Sequence, residues 1–311
     1  MRVFLAGATG VIGRRLVPLL LADGHQITGM TRSAAKAEEL RALGVEPVIA
    51  DALDSATVTQ AVQAARPDAV IHQLTSIPQR INPRTFEREF VTNDRLRSEG
   101  TRILVSAAQA AGATRMLAQS IAFCYAPGPP GTVHREQDPL LGEDAIKSFR
   151  RSARSLRDLE STVLDAGGIP LRYGYFYGPG SAISASGSMG QDLGRRRLPI
   201  VGGGAGVWSL IHVDDAARAT VDALSAGDSR PYNIVDDDPA PASQWLPALA
   251  QAVGAPPPRK VPAWIARLAA GKYGVATMTT AQGASNELAK RELGWKPQYA
   301  SWREGFRTAL D

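Results

Sequence analysis

The chain has 311 residues, 44% hydrophobic and 21% charged, with a formal net charge of +5. That length buries a large core, and the single cysteine, Cys124, excludes an intrachain disulfide. An apolar strand that begins at Arg2 leaves no room for a signal peptide, and the most apolar stretch, 264–270, is broken by Arg267 and falls short of the roughly 20 residues that span a bilayer. A cytoplasmic protein without membrane contact is expected.

The first element is a short apolar strand, 3–6, leading into glycines at positions 7, 10 and 13 and then a helical pattern. Gly7 permits a tight turn, Gly10 leaves the backbone bare to a pyrophosphate, and Gly13 lets the helix pack closely on the sheet. The helix then turns its free N–H groups and positive dipole end toward the phosphates. Ile12, Leu16, Leu19 and Leu20 form its apolar stripe, with Arg14 and Arg15 opposite. Gly24 stops it before a second strand at 27–30, so a strand–helix–strand unit fits within about thirty residues.

Further strands are expected at 47–50, 69–73, 115–119 and 170–175, with helices between them, including long ones over about 85–111 and 143–166. Alternation of this kind predicts an α/β fold with a doubly wound parallel sheet and its site at the C-terminal edge of the strands. After Gly178 glycine and proline become dense and the segments shorten. A strand at 208–213, a helix over 214–226 capped by Asp214 or Asp215, and a strand at 232–235 are expected. The predicted division is a dinucleotide-binding domain over 1–177, to which 207–235 returns, and a smaller substrate cap made mainly of 178–311.

Arg150, Arg151, Arg154 and Arg157 form one basic cluster and Arg195–Arg197 another, without interleaved aromatics, so no nucleic-acid partner is expected. His25, His72, His134 and His212 have no metal-ligand spacing, and no metal is expected.

The Gly-Ala-Thr-Gly-Val-Ile-Gly opening, Asp51 after the third strand, Val70-Ile71-His72, Tyr177-Gly178-Pro179-Gly180, Ile211-His212-Val213-Asp214-Asp215 and Arg291-Glu292-Leu293-Gly294-Trp295 occur in that order. On these residues the chain resembles the extended short-chain dehydrogenase/reductase superfamily, in its NAD-dependent epimerase/dehydratase group. The resemblance implies a Rossmann-like domain with a C-terminal substrate-binding cap. It carries pyrophosphate contacts to Gly7, Thr9, Gly10, Val11, Ile12 and Gly13, and the adenine edge to Asp51 and Ala52. It brings Leu74 and Ser120 to the nicotinamide side and makes Tyr173, Tyr175 and Phe176 the far wall. Pairing of the two long helices into a homodimer is implied as well.

Cofactor choice rests on the end of the second strand. An acid there favours NAD(H) and an arginine suits a 2′-phosphate. The chain has Thr31-Arg32-Ser33 with Lys36 one turn on, so Arg32 and Ser33 predict NADP(H) over NAD(H).

The chain departs from the family at the chemistry. None of its seven tyrosines is followed four residues later by lysine, and alignment from Glu160 puts Ser152 and Leu156 at the usual Tyr-x-x-x-Lys positions. The serine expected near Ile121 is Ser120, and Arg97 replaces the asparagine of the helix before Gly100-Thr101, with Asn93 one turn back. Trp208 replaces an arginine that meets the diphosphate of nucleotide sugars in relatives, and with Tyr175 and Tyr177 it predicts a pocket for a flatter, more apolar substrate. Ser120 and Tyr125 are the expected catalytic residues, with His134 and Lys147 outside candidates.

The expected function is an NADP(H)-dependent oxidoreductase acting on a small non-nucleotide carbonyl or alcohol without the usual dyad. An epimerase or dehydratase without net redox change, and a non-catalytic NADP(H)-binding sensor, are the alternatives.

Overall fold

The computed structural model of the protein describes residues 1–82, 84–142 and 145–310. Its centre is a seven-stranded parallel sheet. In chain order the strands are β1 (Arg2–Ala6), β2 (Gln26–Thr31), β3 (Glu46–Ile49), β4 (Ala69–His72), β5 (Arg115–Ile121), β6 (Ile169–Tyr173) and β7 (Tyr232–Ile234), and in space β7-β6-β5-β4-β1-β2-β3. The order reverses between β1 and β4, which opens a crevice at their C-terminal ends.

Side chains alternate across the sheet. Val3 and Leu5 enter one core with the helices α1 (Gly13–Ala22), α2 (Ala34–Ala42) and α6 (Val213–Asp222). Phe4 and Ala6 enter the other with α3 (Ser55–Ala65), α4 (Thr101–Ala110) and α5 (Arg150–Asp165). Burial on both faces explains why these strands read as continuous apolar runs. The stripe expected on α1 is present, with Leu16, Val17 and Leu20 buried. Arg15, expected to face away, instead pairs with Asp214 at 2.7 Å and donates to the Pro179 carbonyl at 2.7 Å, tying α1 to α6 and to the loop after Tyr177.

Three expected elements differ. The strand over 170–175 is cut at Gly174. The Gly174 N–H bonds to Ile234, whereas the Tyr175 N–H bonds to Ser209, so the chain changes neighbours and Tyr175–Tyr177 pairs with Leu210–His212. The helix over 85–111 is broken into Phe86–Glu89, Val91–Arg95, a π-helical turn at Leu96–Gly100, and α4. The helix over 143–166 begins at Arg150 as α5, and Glu143, its expected start, lies outside the described residues.

α6 is capped by His212, whose Nδ1 accepts from the Asp214 N–H at 3.2 Å, rather than by either aspartate. Asp215 accepts from the N–H groups of Gln298 and Tyr299 instead. A further apolar cluster built on Trp208, Trp245 and Trp302 fills the C-terminal part. Among the described residues, no helix is long and apolar enough to cross a membrane.

Candidate active site

β1 ends at Gly7, whose φ is +94° and whose Cβ, if present, would lie 2.7 Å from the Gln73 carbonyl oxygen. A Cβ on Gly13 would lie 2.1 Å from the Gly7 oxygen, so neither position accepts a side chain. Gly10 is exposed, leaving bare backbone at the crevice. The amides of Val11, Ile12 and Gly13 have no hydrogen-bond acceptor among the described residues. Unpaired amides at the start of a ten-residue helix fit a pyrophosphate.

Arg32 follows β2, is exposed, and makes no ion pair among the described residues. Ser33 is committed to the cap of α2, where its Oγ accepts from the Lys36 N–H at 3.4 Å. Asp51 is exposed after β3, with Oδ1 accepting from Leu53 N–H at 3.0 Å, and Ala52 beside it is buried. Leu74 is half-buried, its N–H donating to His72 Nδ1 at 3.2 Å. Thr9 is half-buried on the glycine loop.

The structure places the expected catalytic pair in one buried network. Ser120 Oγ donates to Glu160 at 2.6 Å, and Arg172 closes on both Glu160 oxygens at 2.9 and 2.7 Å. Arg172 also donates to Tyr125 Oη at 2.8 Å, and that hydroxyl donates to Asn233 Oδ1 at 2.7 Å. Burial pushes Tyr125 up to about 12. Burial opposes the charge on Arg172, but its bonds to Glu160 outweigh that and hold it above the ordinary arginine value. Both hydroxyl protons are therefore directed into a sealed network rather than the crevice.

Two wall residues also move back. Tyr173 has no accessible surface; its hydroxyl accepts from Gln73 at 2.9 Å and lies 2.6 Å from Thr220 Oγ1, so it props the wall from beneath. Tyr177 is likewise fully buried, edge-on to His212 and Phe306, and does not line a pocket. Phe176 is half-buried against Tyr173. Tyr175, half-buried, is stacked between Phe123 at 4.0 Å and Trp208 at 3.9 Å. Trp208 is buried, donates to the Thr277 carbonyl, and stands behind Tyr175 as a second layer.

Sequence reasoning missed Phe123 and Tyr273. Phe123 lies in the loop between the two expected catalytic residues, and Tyr273 comes from the kinked helix Ala263–Thr279, stacked on Phe149 at 4.8 Å. No short-range signal marks Tyr273. Arg97 was legible as a departure from the family. It is 5% exposed in the π-helical turn, and burial holds its guanidinium below the ordinary arginine value. Asn93 accepts from the Ser76 N–H at 3.0 Å and pins the loop after β4. Ser152 and Leu156 are buried on α5.

The model of the NAD dependent epimerase/dehydratase family matches residues 3–235. The chain belongs to that family. A 3-diazoavenalumate denitrifying reductase from a Streptomyces species is 45% identical over 309 residues, covering 98% of this chain and 99% of the relative. The epimerase/dehydratase fold is matched by the UDP-glucose 4-epimerase of Thermotoga maritima with UDP-glucose, at 19% identity and a TM-score of 0.79, over 100% of this chain and 97% of that one. It is also matched by the Thermus thermophilus UDP-glucose 4-epimerase complexed with NAD, at 23% identity and 0.77, over 100% and 98%. This family of NAD(P)-dependent reductases and epimerases makes the chain an enzyme.

Proposed function

We propose that the protein is an NADP(H)-dependent reductase that removes a diazo group, as N2, from a small, flat, conjugated carboxylate. The observation that carries this reading is the 45% identity, over nearly the whole of both chains, to an enzyme named for reductive denitrification of a diazo carboxylate.

The chemistry suits what the chain lacks. Reducing a carbonyl develops charge on oxygen, which an acid must quench. Here the family's dyad positions hold Ser152 and Leu156, and the Ser120 and Tyr125 protons are committed to Glu160 and Asn233. A bound reduced nicotinamide would supply one hydride, and with the nitrogen carried as an aryl diazonium group the balance closes: a C–H bond forms, the C–N bond breaks, and its electron pair leaves with N2. No alkoxide develops, so the chain needs no proton donor. Its residues have to hold a planar molecule in place and keep water away. The Phe123–Tyr175–Trp208 stack supplies a flat wall for that.

The division of labour we assign is residues 1–177 with 207–235 for the dinucleotide, and mainly 178–311 for the substrate. Gly7, Thr9, Gly10, Val11, Ile12 and Gly13 hold the pyrophosphate, Asp51 and Ala52 the adenine edge, and Leu74 and Phe176 the nicotinamide side. Arg32 takes the 2′-phosphate.

The test mixes the protein, NADPH deuterated at C4 and a diazotised aminobenzoate. We expect one N2 released per NADPH oxidised, and deuterium on the carbon that bore nitrogen. An untouched diazo compound, with NADPH consumed by a ketone instead, returns the protein to carbonyl reduction. Failure to bind either dinucleotide leaves a scaffold.

A further inference from the structure

Arg97 is a buried arginine that no side chain or carbonyl among the described residues pairs with directly, Asp94 acting on it only at a distance. It lies in the π-helical turn before α4, 5% exposed, and makes no hydrogen bond or ion pair among the described residues. The nearest acid, Asp94, is already spent on Arg151 at 2.8 Å and Ser155 at 3.4 Å.

The other groups facing it carry no compensating charge. From the loop after β5 comes Cys124, whose thiol burial pushes up to about 12. From the kinked helix comes Tyr273, whose phenol burial also raises. From β4 comes His72, which burial pushes down to about 4 and so keeps neutral. A cation held at this depth without a directly paired anion is disfavoured, and a ligand anion would relieve it. π-helical turns recur at functional sites, because the extra residue pushes one side chain out of helical register.

We infer that Arg97 is the substrate-binding residue that pairs with the carboxylate of the substrate. Its planar fork donates two parallel N–H···O bonds to a carboxylate. The same charge repels a diazonium group. Arg97 therefore sets the substrate's direction as well as its affinity, drawing the carboxylate end to α4 and keeping the reactive end away. The inference deepens the diazo carboxylate reading and rests on it for the reactive group; the anion site itself rests on the unanswered guanidinium.

The experiment titrates the NADP+-loaded protein with cinnamate and with methyl cinnamate by calorimetry, for wild type, Arg97→Lys and Arg97→Met. We expect wild type to bind cinnamate at least about tenfold more tightly than the ester. Arg97→Met abolishes the difference, Arg97→Lys keeps part of it, and NADPH affinity stays level in all three, which reports an intact fold. A preference that survives in Arg97→Met, or that wild type never shows, overturns the inference. The diazo assay separates the two readings. Carboxylate discrimination that needs Arg97 without diazo turnover removes the reaction and keeps the site. Diazo turnover with discrimination indifferent to Arg97 does the reverse.

Discussion

Two arginines are buried to nearly the same depth, Arg172 at 4% exposure and Arg97 at 5%, and the molecule treats them in opposite ways. Arg172 is surrounded by acceptors: both oxygens of Glu160, the Tyr125 hydroxyl and the Glu136 carbonyl. Arg97 has none among the described residues. A buried charge with a full set of partners holds strands and helices in register, here β6 to α5 and to the loop after β5. A buried charge without partners is a cost that folding alone does not explain. The difference separates an architectural charge from the one to which we assign the substrate carboxylate.

The comparison breaks most visibly at Arg172. Arg172→Met leaves the Glu160 carboxylate buried without its cation and is expected to lower unfolding free energy by roughly 3–5 kcal/mol, measured by urea denaturation at neutral pH. Adding Glu160→Gln should restore most of that loss, because the stranded charge goes with it. No loss in the single variant would mean that the network is ornamental.

Acid probes the ground between the two. His72 is buried and neutral, with its folded pKa near 4 against an ordinary value of 6.5. Between those values the unfolded chain binds a proton that the folded chain refuses, so stability is full above about pH 6.5 and falls as pH drops toward 4. The loss is about 3 kcal/mol. His72→Gln should flatten that slope, read from urea midpoints across the window.

Arg97→Met should act with the opposite sign to Arg172→Met. Removing an unanswered cation is expected to raise unfolding free energy by about 1–2 kcal/mol while carboxylate binding is lost. A fall like that of Arg172→Met would place Arg97 in the architecture. The smallest effect is expected at Arg32, on the open side of the crevice. Arg32→Ala should weaken NADPH binding about tenfold, near 1.4 kcal/mol, and leave NADH unchanged. Titration with the two dinucleotides decides it, and equal losses for both would remove the 2′-phosphate contact.

Much of the fold was legible because its signals are local. The Gly7–Gly13 spacing, the apolar runs of β1, β4 and β5 and the stripe on α1 each follow from a few neighbouring residues. Errors came where a distant partner decided the outcome. Gly174 ends β6 because Ser209 lies against it, with a Cβ there falling 2.5 Å from the Ser209 oxygen. Ser120 and Tyr125 could be placed near the end of β5 from the sequence, but not their partners. Only Glu160, 40 positions on, and Asn233, 108 positions on, show where their protons go.

By itself the sequence determined the doubly wound sheet and the turn with its three glycines, since each is a matter of residue type at short spacing. Only the tertiary structure decided which polar groups are answered. It sealed Ser120, Tyr125 and Arg172 together, stacked Phe123, Tyr175 and Trp208 into one wall, and left Arg97 without an acceptor among the described residues. Satisfaction of a buried charge depends on what long-range packing brings within about 3 Å of it, and spacing along a chain does not encode that distance.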